Sequence, residues 1–160
     1  MRTMRNILIK VPTFIFFLGL IAGPCVTILL RNKYPEYYIT PNIIALKVFQ
    51  WAVILTWLIS VVSYFSNESK SAKNNKLIYA LLLISSLSSI SYGFAWKNEF
   101  LFDLFIVAYI MSTVLITLKI KQVFYERSTW YIVLELLIIL IGFISLTQEI
   151  KQWEKNKEIQ

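Results

Sequence analysis

The sequence predicts an all-α integral membrane protein, a compact bundle of five transmembrane helices, or of four if the last fails to cross. Three observations carry this. Apolar stretches fill residues 11–30, 43–65, 77–96, 100–118 and 130–146, each within the roughly 17–25 residues that a membrane-crossing helix needs. Hydrophobic residues make up 58% of the chain and mean hydropathy is +0.64, against about 45–50% apolar residues in ordinary soluble domains. The charged residues gather between the stretches rather than along one helical face. A chain of this length has no interior large enough to hide five helices that are apolar all round.

The first stretch follows Arg2, Arg5 and Lys10. Its segment Leu20-Ile21-Ala22-Gly23-Pro24-Cys25 approaches a lipoprotein processing box. Pro24 stands where such a box has a small residue, and the apolar run continues to Leu30, so an uncleaved helix is expected. Gly19, Gly23 and Thr27 fall on one face at four-residue spacing, which permits close backbone approach of a second helix. Pro24 removes a backbone hydrogen bond and should bend this helix.

Residues 31–42 hold Pro35 and Tyr34, Tyr37 and Tyr38, suited to a headgroup belt. Thr40 can cap the next helix, with Pro41 at its first position. The 43–65 stretch carries Lys47 and Gln50 near its start, and a small-residue face of Ala52, Thr56 and Ser60. Lys70, Lys73 and Lys76 make the following segment a basic, solvated loop. The 77–96 stretch repeats the small-residue spacing at Ser85, Ser89 and Gly93. Lys97-Asn98-Glu99 is barely a turn, so the third and fourth helices form an antiparallel hairpin. The fourth stretch contains Asp103, and Lys119, Lys121 and Arg127 follow it.

The fifth stretch is the shortest and contains Glu135. Its length and apolarity predict a crossing. The tail from Thr147 to Gln160 extends it, with Trp153 at the interface. There is no internal repeat, linker or second domain, so residues 1–160 read as a single multi-pass domain.

Cytoplasmic loops retain lysine and arginine. With the N-terminus inside, Arg2, Arg5, Lys10, Lys70, Lys73, Lys76, Lys119, Lys121 and Arg127 lie inside, while Arg31, Lys33 and Lys97 lie outside. The tail cations Lys151, Lys155 and Lys157 also fall outside if the fifth stretch crosses. A four-helix version returns them to the inside, which fits the charge count slightly better. Composition and charge together point to a bacterial cytoplasmic (inner) membrane with a cytoplasmic N-terminus.

Ionisable groups inside an apolar stretch are costly and raise a functional question. Lys47 and Asp103 lie about 6 Å and about 4.5 Å inside their helices from the outer side. They are expected to pair, with Gln50 one turn below as an added partner. Glu135 lies about 7.5 Å in from the inner side, level with Lys10, Lys119 and Lys121. A structural pair with Lys10 is preferred over a protonatable group in a transport path, because no second acid or histidine shares its depth.

The missing chemistry is as informative. The chain has no histidine and one cysteine, Cys25, which removes the commonest general base and metal ligand and any internal disulfide. No nucleophile elbow, metal-ligand spacing or glycine-rich phosphate loop is present. No catalytic residue, metal or cofactor is therefore expected. The net charge of +7 reads as a topology signal and an attraction to anionic headgroups, not as nucleic-acid binding. The expected role is non-catalytic: helix–helix contact as an accessory, scaffold or immunity-type subunit, with a membrane-protein partner or a homo-oligomer. The alternative is a small transporter or channel protomer whose pathway forms by oligomerisation and is lined by Lys47, Gln50, Asp103 and Glu135.

Overall fold

A computed structural model describes residues 41–69, 73–94 and 98–159, together with Leu18, Ile21, Cys25 and Leu29 as helical positions. The Gly19–Gly23–Thr27 face, the bend at Pro24, the pairing role of Lys10, the cap at Thr40 and the interfacial Trp96 lie outside the described residues. The described elements are all helical: α1 (Pro41–Glu68), α2 (Asn75–Phe94), α3 (Glu99–Val123), α4 (Thr129–Leu137) and α5 (Ile139–Ile159).

Helix α1 opens on Pro41, whose fixed φ suits a first helical position. It is followed by a tight reversal. Asn74 adopts φ 66°, a left-handed conformation that asparagine tolerates better than most side chains. Ser66 Oγ stands 2.8 Å from Asn75 Oδ1 across the turn. Helix α2 returns antiparallel. Asn98 then caps α3, its side chain accepting from the Phe100 amide at 3.0 Å, as the short Lys97-Asn98-Glu99 connection requires. Helix α2 packs most extensively on α3. Small side chains are buried on both: Ser85 and Ser88 on α2, Ala108 and Ser112 on α3. Helix α3 runs parallel to α1, since Trp51 meets Phe105 at one end (5.9 Å between ring centres) and Phe65 meets Phe124 at the other (5.3 Å).

The fifth stretch departs from expectation. Residues 130–146 are not one continuous helix. Helix α4 stops at Leu137, Ile138 leaves helical geometry at φ −95° and ψ 75°, and α5 turns back beside α4. The contacts are paired about that break: Glu135 against Gly142, and Arg127 against Glu149. Helix α4 has 9 residues, about 13.5 Å of rise. Its end reaches the level of Tyr109, whose hydroxyl donates to the Leu136 carbonyl at 2.6 Å.

Helix α5 then descends parallel to α1. The Trp57 indole donates to Thr147 Oγ1 at 3.1 Å and the Tyr64 hydroxyl to Glu154 Oε1 at 2.8 Å, while Lys157 pairs with Glu68. Trp153 meets Phe124 and Tyr64. The C-terminal helix therefore ends beside the α1–α2 and α3–α4 turns, not at the opposite end of the bundle. The physical reason is that α5 turns polar after Thr147, and its polar groups find partners at Trp57, Tyr64 and Glu68 on the second half of α1 and at Arg127 in the α3–α4 turn.

The core sits at this same end. Trp57, Val61, Phe65, Ile78, Ile120, Ile132, Phe143 and Ile150 are buried together. Along the other half, the outward faces of α2 and α3 remain exposed, including Leu83, Leu87, Val107 and Ile110. Among the described residues, two helices, Ala45–Glu68 and Glu99–Val123, are long and apolar enough to cross a membrane, and 28% of the most apolar stretch of each is buried. A core helix of a soluble fold would be mostly buried.

Candidate functional site

The only ion cluster built around a carboxylate hidden from solvent, among the described residues, lies where the α3–α4 turn meets the α4–α5 hairpin. The turn is stitched first. The Phe124 amide donates to the Ile120 carbonyl, and Lys121 Nζ donates to the carbonyls of Tyr125 at 2.6 Å and Arg127 at 2.7 Å. This leaves Arg127 outside a helix, with its side chain free to reach up the hairpin. Its guanidinium lies 4.9 Å from the Tyr131 ring centre, one helical turn on, a favourable cation–π distance.

Arg127 Nη2 donates to Glu135 Oε1 at 2.6 Å, and the two side chains are 10% and 1% exposed. Nη2 also reaches Ser145 Oγ at 3.5 Å, a marginal contact. Nη1 lies 3.0 Å from Glu149 Oε2 but lacks hydrogen-bond alignment, so that contact is Coulombic. One guanidinium thus serves two carboxylates on antiparallel helices. Glu135 Oε2 is buried with no hydrogen-bond partner. Burial raises the carboxyl of Glu149 above its usual range; Arg127 opposes this shift and the charge of Glu135 adds to it.

Gly142 lets the hairpin close. A Cβ there would overlap the Glu135 carbonyl oxygen and stand 2.6 Å from its carbonyl carbon. Below the ion cluster, a cleft of about 450 Å³ opens between Phe124, Tyr125 and Glu126 on one side and Glu149 and Trp153 on the other. Lys157 Nζ covers the Trp153 ring at 3.7 Å.

The structure distributes the residues singled out from the sequence as follows. Glu135 is buried and held by Arg127, not by Lys119 or Lys121; Lys10 lies outside the described residues. Arg127 prevails because it stands eight residues before Glu135, close to two helical turns, on a non-helical segment that its long side chain can leave. Lys47 and Gln50 are half-buried on α1, and Lys47 has a partner within the chain. Asp103 is exposed on α3, and no ion pair joins it to Lys47.

Ser85 is buried with its hydroxyl unpartnered, Ser89 is half-buried and Gly93 lies in the last turn of α2. Thr56 and Ser60 donate to the carbonyls of Ala52 and Thr56 in their own helix, as hydroxyls in apolar surroundings often do. Arg127 and Glu149 were not singled out by sequence. Arg127 read as a loop cation, and no periodic signal marks the reversal at Ile138 that brings Glu149 back to it.

Among the described residues, no three His, Cys, Asp or Glu side chains gather as metal ligands would. No family model, curated protein or solved structure matches this chain.

Proposed function

We propose that this chain is a small, non-catalytic membrane bundle that acts by helix–helix contact, as an accessory, scaffold or immunity-type subunit. The observation that carries the reading is the division of its surface. The buried charges are held within the chain at one end, whereas α2, α3 and α4 turn broad apolar faces outward. Such faces suit lipid and the helices of another membrane protein.

In this reading the stretch at 11–30, α1, α2 and α3 cross a bacterial cytoplasmic membrane, and the α4–α5 hairpin enters from the cytoplasmic side and returns. Both termini are then cytoplasmic. The tail cations join Lys73 and Lys76 on the positive side, where exposed lysines meet anionic headgroups. A hairpin whose apolar arm rises about 13.5 Å spans less than half of a hydrocarbon core of about 30 Å. The test is reconstitution in proteoliposomes with parallel affinity purification from native membranes. The expected result is a reproducible membrane-protein partner or self-association, with no ion or solute flux.

One observation favours a second reading, a transporter or channel protomer. Transporters place ion sites where membrane helices are interrupted, and the reversal at Ile138 lies beside Glu135, whose buried Oε2 has no hydrogen-bond partner. That reading requires flux that Glu135→Gln abolishes while the protein remains folded.

A further inference from the structure

Asp103 is the charged residue that the fold leaves facing outward within an apolar helix. It stands one turn inside α3, a helix long and apolar enough to cross a membrane. It is exposed, and no ion pair joins it to Lys47. It belongs to a row. Phe100, Asp103, Val107, Ile110, Val114 and Leu118 follow one another at steps of three and four residues, and every member is exposed. That spacing puts them on one face of α3, along which a second helix can pack, and a single polar position in such a packed face selects partner and register.

Aspartate is too short to carry its charge far along the helix to water, so facing hydrocarbon it is costly. We infer that this seam of α3 docks a transmembrane helix of another protein that carries a lysine or arginine about one turn below the outer surface, with Asp103 as its counter-ion. A second copy of this chain is the poorer occupant. Copies share one membrane orientation, so a symmetric α3–α3 contact sets Asp103 against Asp103, and like charges at one depth repel. The inference rests on the helix-contact reading and specifies its partner class.

The experiment uses the full chain in phosphatidylcholine vesicles, labelled through Asn67→Cys in a Cys25→Ser background. The probe is a leucine–alanine transmembrane helix with a lysine one turn inside each end, so that either orientation offers one at the depth of Asp103. Its twin carries glutamine instead. Energy transfer should show the lysine helix associating about tenfold more tightly than the glutamine helix, the range expected for a polar contact between membrane helices.

Asp103→Asn should level the two, and Asp103→Lys should move the preference to a glutamate-bearing helix. Both changes fall on an exposed position and leave the core untouched. Equal association of both helices with the unaltered protein overturns the charge recognition while leaving helix contact standing. A lysine preference that survives Asp103→Asn overturns it as well. Association of neither helix overturns the inference together with the reading beneath it.

Discussion

Arg127 shows how a single side chain decides local stability. It neutralises Glu135 where neither residue meets solvent freely, and Glu149 adds a weaker, partly exposed attraction. Removing one partner of such a pair strands a buried charge, at a cost of about 3–5 kcal/mol, whereas replacing both by apolar groups is often close to neutral. Arg127→Met should therefore lower the unfolding free energy in detergent by that amount, and the double change Arg127→Met/Glu135→Leu should restore more than half of it. A double variant as unstable as the worse single one would show that the pair does not act as a unit. Glu149, whose side chain is 42% exposed, should matter far less. Glu149→Gln should cost under about 1 kcal/mol, as solvent-screened pairs do. That Glu135 within an apolar run needs a cationic partner was legible from its position; Lys10, the partner expected, lies outside the described residues. That Arg127 holds it was not legible, because a turn residue's reach depends on where its backbone leaves the helix.

Among the elements, the α4–α5 hairpin depends on one absent side chain. At Gly142 an added methyl meets the backbone of Glu135, which cannot move as the end of a flexible side chain can. Gly142→Ala should therefore destabilise the hairpin by about 1–3 kcal/mol or more, the usual cost of overpacking. The change would appear as faster hydrogen exchange across α4 and the first turns of α5, with α2 unaffected. Ser145→Ala, three residues on and at the margin of hydrogen-bond reach to Arg127, should leave that exchange unchanged. The turn of α1 into α2 and the tight α2–α3 connection were readable from Asn, Lys and Glu between apolar runs. The break at Ile138 was not, since Leu, Ile and Val continue through it without glycine or proline. Gly142 was visible, but its position within an apolar run reads equally as a helix-packing glycine.

At the scale of the whole molecule, the hairpin returns α5 to the end that holds the α1–α2 and α3–α4 turns, and the proposed topology puts that end on the cytoplasmic side. Single-cysteine variants in a Cys25→Ser background test this directly with a membrane-impermeant thiol reagent on intact cells and on inverted vesicles. Asn67→Cys and Asn156→Cys should label from the same side, and Asn98→Cys from the other. If Asn156→Cys labels together with Asn98→Cys, the tail has crossed and the hairpin is not re-entrant in the membrane. The same geometry predicts where stability concentrates. The buried cluster of Trp57, Phe65, Ile120, Phe143 and Ile150 gathers at the end that holds the α1–α2 and α3–α4 turns. Trp57→Ala should therefore cost about 3–5 kcal/mol, while Val107→Ala on the outward face should be close to neutral in thermal melts.

Apolar run length and the placement of lysine and arginine were enough to establish from sequence that the described residues are helical and that their charges collect at element ends. These are local properties, set by which residues can satisfy their own backbone without water. Tertiary structure alone decided that the last apolar run doubles back, that Arg127 rather than a lysine holds Glu135, and that Asp103 is left facing outward. Each depends on where the backbone leaves a helix or on which helix faces find a neighbour, and hydropathy is blind to where a helix reverses when both of its arms are equally apolar.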